Sequence, residues 1–233
     1  MTAIVKLVGV VKEYGAAASL VRALRGVDLE IDKGAFAAIA GPSGSGKTTL
    51  LNIISGLDTP GAGHVFVEGQ EVTGMSGRAL SRLRLRRIGF VFQAYNLMPV
   101  LTAFENAEYV LLMQGVAKAE RRRRVMNVLG QVGLSGMEQR FPRELSGGQQ
   151  QRVAIARAIV SEPALILADE PTANVDSTTA AGLLDLMTEL NEDKGVTFVF
   201  SSHDPNVLKR TKRLIAMKDG ALEGSADAKR REA

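Results

Sequence analysis

Two periodicities divide the chain. The runs AFAAIA (35–40), ALILADE (164–170) and VTFVFSS (196–202) are nearly all apolar, which is the pattern of strands buried on both faces of a parallel sheet. VDLEI (27–31), HVFVEG (64–69) followed by QEV, and IGFVFQ (88–93) are further strand candidates, and RLIAMKDGALEG reads as a hairpin turning at Asp219-Gly220. From about 94 to 160 the spacing becomes helical. One helix starts near Thr102, with Glu105 three residues on in capping-box spacing. KAERRRRVMNVLGQVG forms a second, with Val125, Leu129 and Val132 on one face, and a third begins at Ser146 and stops before Pro163. After residue 170, DSTTAAGLLDLMTELNE is a helix whose Leu183, Leu184, Met187 and Leu190 share a face. The pattern predicts an α/β core interrupted by a mostly helical insertion, without internal repeats.

Composition narrows the chemistry. Of 233 residues 24 are glycine and only 7 proline, so the glycines belong to tight turns and not to a disordered linker. There is no cysteine and there are two histidines, which excludes disulfides, thiolate nucleophiles and Cys-bound zinc. No apolar run reaches the roughly 18 residues of a membrane span, and MTAIVKLVGVVKEYG lacks the marks of a secretory signal, so a cytosolic protein is expected. The net charge of +4 gathers in RALSRLRLRR (78–87), RRRR (121–124), KRTKR (209–213) and KRRE (229–232), with almost no aromatic residues between, which argues against base stacking. A solvated face is the plain reading of 78–87 and 121–124.

The glycine-rich segment carries a mechanism. GPSGSGKT, that is Gly41, Pro42, Ser43, Gly44, Ser45, Gly46, Lys47 and Thr48, fits G-x-x-x-x-G-K-[ST] between an apolar strand and an amphipathic helix, and these residues with Thr49 are expected to bind the nucleotide. Backbone N–H groups there point at phosphate oxygens and the helix N-terminus adds its dipole. Lys47 is expected to bridge the β- and γ-phosphates and Thr48 to coordinate Mg²⁺. LILADE supplies Asp169 at the C-terminal end of a buried strand, as a magnesium ligand, and Glu170 beside it, to polarise the attacking water.

LSGGQQQR (145–152) resembles the signature sequence of the ATP-binding cassette ATPases. The resemblance spans about residues 4–223. It implies that Ser146, Gly147, Gly148 and Gln149 face the γ-phosphate of ATP held by another copy, so that a head-to-tail homodimer is the working unit. It further implies that Tyr14 stacks on adenine, that Gln93 senses magnesium and connects to the helical insertion, and that His203 contacts the γ-phosphate. His64 has no such context and is read as structural. In ANVD (173–176) Asp176 matches the loop between subunits, whereas Asn174 and Val175 depart from the S-A-L-D of many relatives.

The implied fold is an α/β P-loop NTPase core with a mainly parallel sheet, an antiparallel β subdomain and an inserted helical subdomain. The expected division is a core of 1–92 and 161–223, a helical subdomain of 93–160 and a tail of 224–233. The segments around IGFVFQAYNLMPVLTAFENAEYVLLMQGV are most similar to the lipoprotein-releasing, macrolide-exporting and cell-division branch. The resemblance implies an ATPase that uses ATP and Mg²⁺ and is joined to integral membrane permease subunits at the cytoplasmic membrane surface. Transport and force transmission without transport remain equivalent at this level. The rival is a soluble cassette ATPase acting on nucleic acid or ribosomes, for which the basic charge is the only support.

Overall fold

The computed structural model describes residues 3–16 and 19–227, without the side chains of 224–227, so KRRE and most of the expected tail lie outside the described residues. The strands are β1 (Ala3–Tyr14), β2 (Val21–Asp32), β3 (Phe36–Ala40), β4 (Ala62–Val67), β5 (Gln70–Glu71), β6 (Ile88–Val91), β7 (Leu165–Asp169), β8 (Thr197–Ser202), β9 (Arg213–Lys218) and β10 (Ala221–Asp227). The helices are α1 (Lys47–Ile54), α2 (Gly77–Arg87), α3 (Ala103–Met113), α4 (Lys118–Gln131), α5 (Gly147–Ile159), α6 (Ser177–Lys194) and α7 (Pro205–Arg210).

Two sheets form. One has the order β2-β1-β4-β5 and pairs antiparallel; the other has the order β10-β9-β3-β8-β7-β6. In the second sheet every ladder is parallel except β9 with β10. The central strands read as continuous apolar runs because each feeds two cores. Phe36, Phe198, Phe200 and Ile166 point to the side of α3–α6, while Ile39, Leu165, Leu167 and Val199 point to α1 and the antiparallel sheet. Phe36 and Phe200 meet edge-on with ring centroids 4.8 Å apart, an arrangement that aromatic quadrupoles favour. The helical insertion shares the first core with the sheet: Leu111, Val125, Leu129 and Val132 are buried there beside Leu183, Leu184 and Met187.

Several elements depart from the sequence reading. β10 runs to Asp227, past the expected core limit at 223. The six-residue α7 is absent from that reading because it is too short to show a period; Asp204 caps it and Pro205 starts it. The run 78–87 is a helix with a thin apolar contact, only Leu80 and Leu83 being buried.

The structure also separates the charge runs. Arg121 pairs with Glu108, and Arg123 and Arg124 both bind Glu120, whose carboxyl they pull down to about 2. In the run 209–213, Arg210 meets Asp185, Lys212 meets Glu192, and Arg213 donates to the Glu30 carbonyl. Along α2, Arg87 binds Glu68 and Arg84 donates to the Gly56 carbonyl. Arg78, Arg82 and Arg86 are exposed and make no ion pair among the described residues. Their spacing of four places them on one stripe of the helix. His64, read as structural, lies on the exposed antiparallel sheet with Nδ1 2.6 Å from Glu71 Oε1.

Candidate active site

The P-loop begins where β3 ends. Gly46 adopts φ +101, and a Cβ there would stand 2.4 Å from the Ala23 carbonyl oxygen, so both backbone conformation and close packing against β2 demand glycine. Lys47 is buried. Its ammonium donates to the carbonyls of Gly41 at 2.8 Å and Pro42 at 2.9 Å, which satisfies a charge that is costly to bury alone.

Thr48 Oγ1 donates to Asp169 Oδ1 at 3.2 Å, bringing α1 to the end of β7. Among the described residues no group of three His, Cys, Asp or Glu stands ready for a metal. Magnesium needs none, since it keeps several waters and takes one or two protein oxygens together with substrate phosphates. Thr48 and Asp169 offer such a pair of oxygens. Ser201 Oγ, also on the cleft wall, is buried without a hydrogen-bond partner among the described residues.

Glu170 is held on several sides. Its amide donates to the Ser201 carbonyl at 2.9 Å, Ser202 Oγ donates to Oε2 at 3.2 Å, and His203 Nδ1 lies 2.7 Å from Oε1. Its φ of +45 is left-handed, a conformation that a non-glycine residue keeps only when its surroundings enforce it. The ladder pairing Asp169 with Ser201 aligns the ends of β7 and β8, and so sets Glu170 beside Ser202 and His203.

Tyr14 ends β1 at the mouth of the cleft. Its hydroxyl donates to Asp58 Oδ2 at 2.5 Å, and Lys12 Nζ donates to Asp58 Oδ1 at 2.6 Å while lying 4.9 Å from the Tyr14 ring centroid. Burial and the bond to Asp58 push the Tyr14 phenol up. For Asp58, burial alone would raise the carboxyl, but the donors Lys12, Tyr14 and the Thr59 amide outweigh it and hold the carboxyl below its usual value. Sequence reasoning missed Lys12 and Asp58, because Asp58 sits in an irregular loop 44 residues from Tyr14.

A cleft of about 490 Å³ collects Tyr14, Ser43, Gly44, Gly46, Lys47, Thr48, Thr49, Gln93, Glu170 and His203. Residues expected near one nucleotide thus converge from five separate segments. Val21 and Arg22 of β2 and Ser201 join them. Gly41, Pro42 and Ser45 belong to the same loop without lining the cleft.

The signature residues lie elsewhere. Ser146 caps α5 and Gln149 answers it: Ser146 Oγ accepts from the Gln149 amide at 3.3 Å and Gln149 Oε1 accepts from the Ser146 amide at 2.9 Å. This S-x-x-Q capping box is legible in the sequence. None of Ser146, Gly147, Gly148 and Gln149 lines the cleft. Asp176 has a local role as the cap of α6, accepting from the Thr178 and Thr179 amides and from the Thr179 hydroxyl; the Thr179 hydroxyl bond leads in holding its carboxyl low.

A second groove, of about 430 Å³, runs beside the segment after β6. Leu85, Phe90, Phe92 and Val110 give it apolar walls and Arg84 and Arg157 line it.

Comparison with known proteins agrees with this fold. The sequence model of one family, described as ABC transporter, matches residues 24–173. A Thermotoga maritima protein named as an uncharacterized ABC transporter ATP-binding protein is 46% identical over 224 residues, covering 96% of this chain and 95% of the relative. The lipoprotein-releasing system ATP-binding protein LolD of Bacteroides thetaiotaomicron is 43% identical over 219 residues, covering 94% and 99%. The solved structure of the ATP-binding cassette MJ0796, a dimer in a post-hydrolysis state with ADP and Pi, superposes with a TM-score of 0.90 at 43% identity, covering 96% of this chain and 98% of that one.

Proposed function

The chain belongs to the ABC transporter family as an ATP-hydrolysing, ATP-binding subunit, and we propose that its cleft is one half of a nucleotide site completed by the signature segment of a second copy. The observation that carries this reading is the separation within one chain: the P-loop, Gln93, Glu170 and His203 line one cleft, and Ser146–Gln149 do not reach it. A head-to-tail pair would bring each α5 N-terminus, with its free amides and dipole, to the phosphates held by the other copy.

Each residue then has a chemical task. The P-loop amides and Lys47 hold the β- and γ-phosphates, and Lys47 exchanges its two carbonyl partners for phosphate oxygens. Tyr14 stacks on the adenine. Thr48, Asp169 and Gln93 would hold Mg²⁺, which would supply charge neutralisation at the phosphates. Water attacks the γ-phosphorus in line as the bond to the bridging oxygen breaks, releasing ADP and phosphate. Glu170 orients that water and draws on its proton, and His203 stabilises the γ-phosphate charge.

The relatives, one of them named as a lipoprotein-releasing system ATP-binding protein, support a membrane side. We place the chain at the inner face of the cell membrane, held there by integral permease subunits. The apolar groove beside Gln93 is the docking surface, and the arginine stripe of α2 faces acidic groups of that environment. The nucleic-acid alternative gains nothing from the comparisons.

Glu170→Gln tests the reading, because the amide keeps the size of the side chain and cannot take a proton. It should bind ATP and run as a dimer on size exclusion, while turnover drops by about 10²-fold or more, the usual contribution of a general base. Turnover within tenfold of the parent protein would overturn the role of Glu170.

A further inference from the structure

Three segments that are far apart in the sequence meet at one point. After β6 the chain leaves the sheet through Gln93, Ala94, Tyr95 and Asn96; after Glu170 it passes through Asn174 to the cap of α6; and α5 starts at Gly147. The Asn174 side-chain amide donates to the Gln93 carbonyl at 2.9 Å, and the Tyr95 hydroxyl donates back to the Asn174 carbonyl at 3.0 Å. These two bonds run in opposite directions across the same gap, so neither loop slides along the other without breaking one of them.

The insertion grips this junction at two places. A Cβ on Gly147 would stand 2.9 Å from the Tyr95 hydroxyl and 3.4 Å from the Asn174 carbonyl oxygen, so the first turn of α5 sits directly against both partners. Ten residues further, about 15 Å along the helix, Arg157 donates to the carbonyls of Asn96 at 2.6 Å and Tyr95 at 2.8 Å. Tyr95 and Asn96 adopt φ of +59 and +50, consecutive left-handed residues that are not glycine, a strain that persists only where the surroundings enforce it. Both loops lead into the cleft, where Gln93 and Glu170 line the wall.

We propose that Tyr95 and Asn174 are positioning residues that lock the Gln93 loop to the Glu170 loop, so that a shift of the α3–α5 layer moves both side chains together. Neither residue lines the cleft. They act on the chemistry through Gln93 and Glu170, and to that extent the inference rests on the roles proposed above. The departure of Asn174 from S-A-L-D acquires a use: alanine at this position would have no amide to donate across the gap. The Tyr95 hydroxyl has the same standing, since phenylalanine would fill the space without making the return bond.

The test uses the full chain with Tyr95→Phe, Asn174→Asp and the double variant. Asp keeps the size of Asn and removes the donor, which separates the hydrogen bond from packing. Hydrogen exchange followed by mass spectrometry should show each change acting on the opposite loop: Tyr95→Phe speeds exchange across 172–176 and Asn174→Asp across 93–96, each by about fivefold, the worth of one net hydrogen bond. Each single variant should lower kcat by about three- to tenfold with the KM for ATP within twofold, and the double variant should be no worse than the poorer single one, as expected of one unit. Exchange that changes only on the mutated loop, or kcat losses that multiply, would overturn the proposal. Failure of the functional reading shows separately, as undiminished turnover in Glu170→Gln.

Discussion

At the scale of single residues, the cleft is built by partners that motifs do not include. Lys47 is readable from the P-loop pattern, but its bonds to Gly41 and Pro42 are not, because they depend on how the loop closes. Tyr14 is similar: its place ahead of the phosphate loop marks it, while Lys12 and Asp58, which orient it, come from packing. This unit has a pH signature. Asp58 titrates below its ordinary value in the folded chain, so its contribution is present at neutral pH and is lost as pH falls through that depressed value. Asp58→Asn should therefore lower the melting temperature by about 2–4 °C at pH 7. The gap from the parent protein should begin to narrow only below the ordinary carboxylate value of about 4 and close as pH falls through the depressed value of the folded chain. Melting curves from pH 3 to pH 8 check this, and a gap independent of pH would refute it.

At the scale of elements, legibility follows the strength of the local signal. β3, β7 and β8 are plain in the sequence because both of their faces are buried, and α3 because Thr102 and Glu105 form the capping box that their spacing announces. Thr102→Ala removes one side of that box and should cost about 1 kcal/mol, or roughly 2–4 °C in melting temperature, with ATP turnover kept; calorimetry with a parallel ATPase assay decides it. α2 is hidden by its own composition, since two buried leucines among arginines carry little helical period. Gly147 and Gly148 show a different gap. In the sequence their lack of a side chain reads as room for phosphate, yet the same chain also requires it: a Cβ on Gly148 would lie 2.3 Å from Thr179 Cγ2.

At the scale of the whole molecule, the P-loop cleft and the signature segment lie apart in one chain, and two chains are proposed to complete each site. Two defects in different halves should therefore complement. Lys47→Ala and Ser146→Arg chains are each expected to be inactive alone, whereas an equal mixture contains heterodimers with one intact site. If pairing is statistical and sites act independently, the mixture recovers up to about a quarter of parental turnover. Continued inactivity after verified subunit exchange would argue against shared sites. The distribution of charge is also decided partly at this scale: Arg121, Arg210 and Lys212 meet acids from other elements, whereas Arg78, Arg82 and Arg86 of α2 make no ion pair among the described residues.

The sequence by itself determined the class of chemistry and the order of the elements, because the P-loop, LADE, LSGGQ and the buried strands depend on residue type at short spacing. Through the resemblance that LSGGQ carries, it also pointed to the second copy proposed above. Only the tertiary structure decided which side chains support those that line the cleft. Asp58 beside Tyr14, Ser202 and His203 on Glu170, and Asn174 against Gln93 are separated along the chain by 32 to 81 residues. No local pattern encodes contacts of that separation, because they form when parallel strands align their ends and the helical layer closes over them.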